Sequence, residues 1–173
     1  MDTTPPEDEA VERFWAQARK VAGFTRLDVV VGENEVAALT PPAWSFGTNA
    51  EEADELLALV LAGVKTATSS ARWEWEAEGE ELPRPGDLSI ICDGAGEPHV
   101  LARTTAVEVV PFDQVPADHA AAEGEGDRTL EHWRRVHETY LRQVLGAYGK
   151  ELTADTPVVL ERFTVLYPRR RRR

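Results

Sequence analysis

The sequence predicts an α+β domain, a small mixed β-barrel with flanking helices. Three observations carry this expectation. Two stretches, 7–22 and 53–61, repeat apolar residues at helical spacing. Six short stretches read as strands, among them a pair in "DLSIICDGAGEPHVLARTTAVEVVPF" and the closing "PVVLERFTVLYP". The chain has 173 residues, 42% of them hydrophobic, which suffices for one domain with a sizeable core; no internal repeat divides it.

Each element follows from its residues. Residues 1–6, with Pro5 and Pro6, are expected to be a disordered acidic tail, and residues 7–45 a helix and strand extension ahead of the domain proper at 46–168. Glu7–Ala22 places Val11, Phe14, Trp15, Ala18, Val21 and Ala22 on one stripe, and Gly23 ends it. Leu27–Val31 reads as a short strand, and Pro41-Pro42 interrupts. Thr48 or Asn49 then caps a second helix, with Glu51 and Glu52 at the positive end of its dipole. Its apolar face is Ala53, Leu56, Leu57, Val60 and Leu61, and Gly63 is the stop. Lys65–Ser70 reads as a strand whose first residues still belong to the turn after Gly63. Arg72–Glu76 alternates like a strand, with Trp73 and Trp75 on one face. "LPRPGD" is a turn, and Asp93–Glu97 joins the next two strands. Asp113–Glu125 is rich in alanine and acid and leads to a helix near Thr129–Tyr140, before the last strand and a basic tail at 169–173.

The net charge of −12 is uneven. Five of the 19 basic residues form the run Arg169–Arg173, which leaves 14 basic against 31 acidic residues. Such a surface repels bulk nucleic acid and argues against coating double-stranded DNA. It leaves open a small basic cleft for a nucleotide or a single strand, since fields act within about a Debye length, roughly 8–10 Å. No apolar run approaches a membrane span, so no membrane partner is expected. "MDTTPPEDEA" lacks the apolar core of a signal peptide, and a single cysteine, Cys92, fits a reducing compartment; the expected location is cytoplasmic.

The blocks "ADELLALVLAGVKTATSS", "LPRPGDLSIICDG", "VVPFDQV", "EGEGDRTLEHWRRVH" and "PVVLERFTVLYP" run in order from Ala53 to Pro168 and resemble an ASCH-domain protein. The GxKTxT stretch and the EGEGD stretch with its following Thr-Leu, Trp-Arg and His are the specific parts. The resemblance implies a PUA-like barrel and an RNA-related role. It implies either hydrolysis of single-stranded RNA, as a ribonuclease, or of a modified nucleoside, as an N4-acetylcytidine amidohydrolase. By the same resemblance Lys65 is the catalytic lysine, Thr68 the hydroxyl three positions on, and Glu125 a catalytic glutamate, with Glu123 the alternative.

The residues themselves support a site near Lys65, one of three lysines in the chain. A lysine between a helix stop and a strand serves as a base or an electrophilic clamp once partly desolvated. It otherwise reads as a solvated cation beside a helix C-terminus. As a cleft-lining residue it would contribute little to stability. Lys65 and Thr68 converge only if Val64–Thr66 is a turn; failing that, Thr66, Ser69 or Ser70 becomes the hydroxyl partner. Glu125 is flanked by glycines that permit close approach, while Asp127 or Thr129 caps the helix that follows. Thr66, Ser69, Glu123 and Thr129 are candidate substrate contacts, with Arg72 for phosphate and Trp73 as a stacking platform. His137 reads as structural on its helix, and His119 reaches a cleft only from a loop. Carboxylates at 123, 125 and 127 invite a magnesium reading, but no histidine or cysteine ligand pattern accompanies them, so no metal or cofactor is expected. A reader of RNA or nucleotides without turnover is the alternative to an enzyme.

Overall fold

The computed structural model describes residues 2–24 and 39–169. The strand expected at Leu27–Val31 and most of the terminal arginine run lie outside the described residues. The helices are α1 (Asp8–Ala22), α2 (Ala50–Ala62), α3 (Arg72–Glu78), α4 (Ala117–Glu123) and α5 (Leu130–Ala147). The strands are β1 (Ala43–Ser45), β2 (Ala67–Ala71), β3 (Leu88–Cys92), β4 (Pro98–Pro111) and β5 (Pro157–Tyr167). The class is α+β with mixed strand pairing, as the sequence predicts. Two compact units divide the chain, with β4 and β5 running through both.

The first unit comprises residues 1–61, 87–103 and 164–173. Here β3 pairs in parallel with β1 and antiparallel with β4. The stripe of α1 buries Val11, Trp15 and Ala18 against Ile90, Cys92 and Leu101, with Phe14, Leu166 and Tyr167 around them. Gly23 ends α1 at φ 88°, the left-handed turn that the sequence requires there. Asn49 caps α2, its side-chain oxygen accepting from the Glu52 N–H at 3.0 Å. On α2, Ala53, Leu57 and Val60 are buried, but Leu61 is 40% exposed; it lies off the inward stripe expected to include it. The N-terminal residues are not free, because the Thr4 N–H donates to the Gly94 carbonyl at 3.0 Å.

The second unit comprises residues 62–86 and 104–163. β2 pairs antiparallel with β5, Ala67 facing Arg162 and Ser69 facing Leu160. Its core joins Ala71, Val115, Ala120, Trp133, Leu141, Leu145, Val158 and Leu160. Helix α5 presents Trp133, His137, Leu141 and Leu145 inward at four-residue steps, so one of its four core positions is polar.

One expectation fails here. Arg72–Glu76 is the start of α3, not a strand. The Glu74 side chain accepts from the Ala71 N–H at 3.0 Å and so satisfies a donor at the helix start, as in a capping box. Charged pairing at helical spacing adds to this, with Arg72 Nε 2.8 Å from Glu76. Two-residue alternation in so short a stretch did not outweigh these helix signals.

Candidate functional site

The site grows from the junction between Gly63 and β2. Gly63 turns the chain at φ 70°, and strand pairing does not resume until Ala67, so Val64–Thr66 is free to take its own path. Three hydrogen bonds fix that path. The Thr66 N–H and hydroxyl both donate to the Ala122 carbonyl, at 2.8 and 3.3 Å, and the Phe163 N–H donates to the Thr66 carbonyl at 3.0 Å. Gly124 closes the other side. At φ 75°, a Cβ there would stand 2.6 Å from the Val64 carbonyl oxygen, so only glycine permits the approach. The end of α4 and the Lys65 stretch are thereby locked together.

Lys65 is 1% exposed. Its Nζ lies 2.6 Å from Glu125 Oε1 and 3.4 Å from Glu123 Oε2. The two carboxylates differ sharply in setting. The Glu125 side chain keeps a fifth of its surface open, whereas Glu123 is sealed. Around Glu123 the donors converge. Its Oε1 accepts from Ser69 Oγ at 2.5 Å and from the Trp133 indole at 2.6 Å, with His119 Nε2 at 3.1 Å. On Oε2 lie Lys65 and, at 3.3 Å, His137 Nε2. Burial by itself would raise the pKa of this carboxyl. The hydrogen bonds from His119 and His137, then the charges of His137 and Lys65, outweigh it and hold the group well below the usual carboxylate range.

Both glutamates left open by the sequence therefore meet Lys65, in different settings. Glu123 is a buried hub, and Glu125 is the carboxylate that solvent reaches. A buried lysine in two ion pairs is not the cleft-lining residue expected, and its removal would strand two carboxylates.

Among the hydroxyls, Ser69 joins the cluster directly and Thr66 braces it. Thr68 sits one residue along β2 from Ser69, opposite Glu161 in register, and so points to the other face of the strand. Val64–Thr66 is indeed outside the strand, but that does not turn Thr68 toward Glu123. Thr129 caps α5 by accepting from the His132 N–H at 3.1 Å, and Asp127 in turn accepts from Thr129. Arg72 is spent on Glu76, at 2.8 Å. Trp73 packs against the core with Lys150 Nζ 5.2 Å from its ring centre, and the Trp75 indole donates to Ser70 Oγ at 2.9 Å. These contacts of Thr129, Asp127, Arg72, Trp73 and Trp75 lie outside the Lys65 cluster.

Three members of the cluster were not foreseen. His119 reaches it from helix α4, not from a loop, and His137 is buried for contact with Glu123 as well as for packing. Trp133 enters the sequence reading only as the tryptophan of the EGEGD stretch that carries the family resemblance, with no role of its own. The signal was present as two pairs at i,i+4, His119 with Glu123 and Trp133 with His137, each of which shares a helix face. Among the described residues no group of three or more His, Cys, Asp or Glu side chains is placed to hold a metal ion, and no helix is long and apolar enough to cross a membrane.

Comparison with known proteins bears on this arrangement. The family model described as ASCH domain matches residues 42–167. The chain is similar to the crystal structure of an ASCH domain from Lactobacillus crispatus JV V101, with 30% identity and a TM-score of 0.78 over 92% of this chain and 96% of that one. It is also similar to a protein of Enterococcus faecalis V583, with 32% identity and a TM-score of 0.70 over 87% of this chain and 88% of the other. Among curated proteins none matches. These likenesses establish the PUA-like α+β fold.

Proposed function

The chain belongs to the ASCH domain family, and from that premise we propose that it is a hydrolase of single-stranded RNA acting at the Lys65–Glu125 pair. ASCH domains are associated with RNA binding. The observation that carries the catalytic reading is the asymmetry of the pair: a sealed ammonium 2.6 Å behind a carboxylate that is partly open.

In this reading Glu125 is the general base. It takes the proton of a ribose 2′-OH as that oxygen bonds to phosphorus, and the bond from phosphorus to the 5′-oxygen breaks, leaving a 2′,3′-cyclic phosphate and a 5′-hydroxyl. The leaving oxygen takes up a proton from Glu125 or water. Lys65 acts without touching the substrate. Once Glu125 has accepted the proton, the ammonium loses the nearer of its two carboxylate partners and keeps only Glu123, at 3.4 Å, so the site gains one positive charge. That gain of positive charge coincides with the build-up of negative charge on the phosphoryl oxygens. The timing favours the transition state over the ground state. No metal is required by these steps.

Amide hydrolysis of N4-acetylcytidine is the second reading. It draws on the same base, with water as nucleophile; the orientation of Thr68 away from Glu123 counts against a threonine nucleophile. Incubation of the purified protein with end-labelled single-stranded RNA, and separately with N4-acetylcytidine, tests the assignment. Strand cleavage leaving cyclic phosphate ends supports the proposal. Release of acetate with intact RNA favours the second reading, and no turnover of either leaves a binding module.

A further inference from the structure

The ring of His137 meets an acceptor at each nitrogen. Nδ1 lies 3.0 Å from the Trp133 carbonyl oxygen, and Nε2 lies 3.3 Å from Glu123 Oε2. A carbonyl oxygen only accepts, so Nδ1 must carry a proton. If His137 were neutral, the bare Nε2 lone pair would then face a carboxylate oxygen, unless Glu123 itself held the proton. The surroundings of Glu123 oppose that. Its Oε1 already accepts from Ser69 and Trp133 and faces His119, and Oε2 also faces the Lys65 ammonium. A carboxyl with this many donors is stabilised in its ionised form. The indole of Trp133 stacks on the imidazole, ring centres 4.1 Å apart and planes 13° from parallel, the placement in which an aromatic face favours a cation.

We propose that His137 is held as an imidazolium, the second cation of a neutral four-group cluster with Lys65, Glu123 and Glu125, and that it is a positioning residue which sets the charge available to Glu125. The groups around it are accounted for. Glu123 and His119 come from α4, Lys65 from the stretch before β2 and Glu125 from the loop after α4. Tyr140, on the same helix as His137, lies edge-on with ring centres 6.5 Å apart, and its hydroxyl faces Glu74 of α3 at 3.4 Å. Without the imidazolium charge, Lys65 alone would face two carboxylates. One of them would then hold a proton to higher pH, because losing a neighbouring cation raises a carboxyl's pKa. The role assigned to Glu125 as base rests on the function proposed above; the charge state of His137 does not.

Two measurements separate these claims. Nitrogen NMR of the histidine-labelled wild-type protein, with His137 identified by its proximity to the Trp133 indole, reads the ring directly. Protonation of both nitrogens from pH 6 to 8 is expected, and a neutral tautomer in that range overturns the proposal. The second is the pH profile of kcat/KM for His137→Gln. The acid limb is expected to move up by about one pH unit, the lower end of the shift one adjacent charge produces. A uniform drop at every pH, with the limb unmoved, would mark His137 as packing only and overturn its positioning role. If the protein turns over neither substrate, the NMR result still decides the charge state while the functional reading falls.

Discussion

Lys65 Nζ stands 2.6 Å from Glu125 Oε1 with the lysine sealed and the glutamate side chain one-fifth open. This order matters, since the group that solvent and substrate can reach is the carboxylate, and the ammonium works from behind it. It also changes what removal of either residue should do.

Lys65→Ala is expected to destabilise the protein by about 3–5 kcal/mol, because two carboxylates lose their shared cation and one of them, Glu123, is sealed from solvent. Urea unfolding measures this. A loss below about 1 kcal/mol, the value for an exposed ion pair, would mean that the lysine is solvated in solution.

Acid should expose the hub. The Glu123 carboxyl is depressed in the folded state relative to an ordinary value of about 4.3 when unfolded. Its contribution to stability is therefore fully present above that unfolded value and is lost as the pH falls through the lower folded one. The urea midpoint of the wild type should fall steeply with pH below about 4.3, and that of Glu123→Gln should fall less steeply over the same window. Parallel curves would show that Glu123 titrates elsewhere.

Gly124→Ala tests the lock between α4 and the Lys65 stretch. The added Cβ would meet the Val64 carbonyl oxygen at 2.6 Å on a backbone at φ 75°. A loss of more than about 1 kcal/mol is expected, above the usual gain or cost of exchanging glycine for alanine at an unstrained site. Thermal unfolding reports it; an unchanged midpoint would show that the approach of α4 is not needed.

Much of the architecture could be read from local chemistry. The apolar stripes with their glycine stops gave α1 and α2 because helix period and left-handed stops are encoded within a few residues. The hydroxyl-rich run after Gly63 likewise gave β2. Arg72–Glu76 reads as a strand in sequence because its alternating tryptophans mask the capping contact of Glu74 with the Ala71 N–H. At the site, Lys65 and the two glutamates were legible, but their division of labour was not. Which carboxylate is sealed depends on Trp133, His137 and Ser69, which lie on other elements and converge on Glu123 only in the fold. Spacing along the chain carries pairs within one helix; it does not carry a meeting of three elements.

The central claim, that Glu125 is the base of an RNA-cleaving pair, is tested most directly by cleavage of an end-labelled single-stranded RNA by wild type and Glu125→Gln. The substitution preserves shape and hydrogen-bond reach but removes the base, so the rate should fall by about 10²-fold or more, with the protein still folded. A single 2′-deoxy nucleotide placed at the cleaved position should block the wild type equally well, since it deletes the attacking hydroxyl. Cleavage by Glu125→Gln at the wild-type rate, or cleavage that proceeds past the deoxy position, would contradict the account.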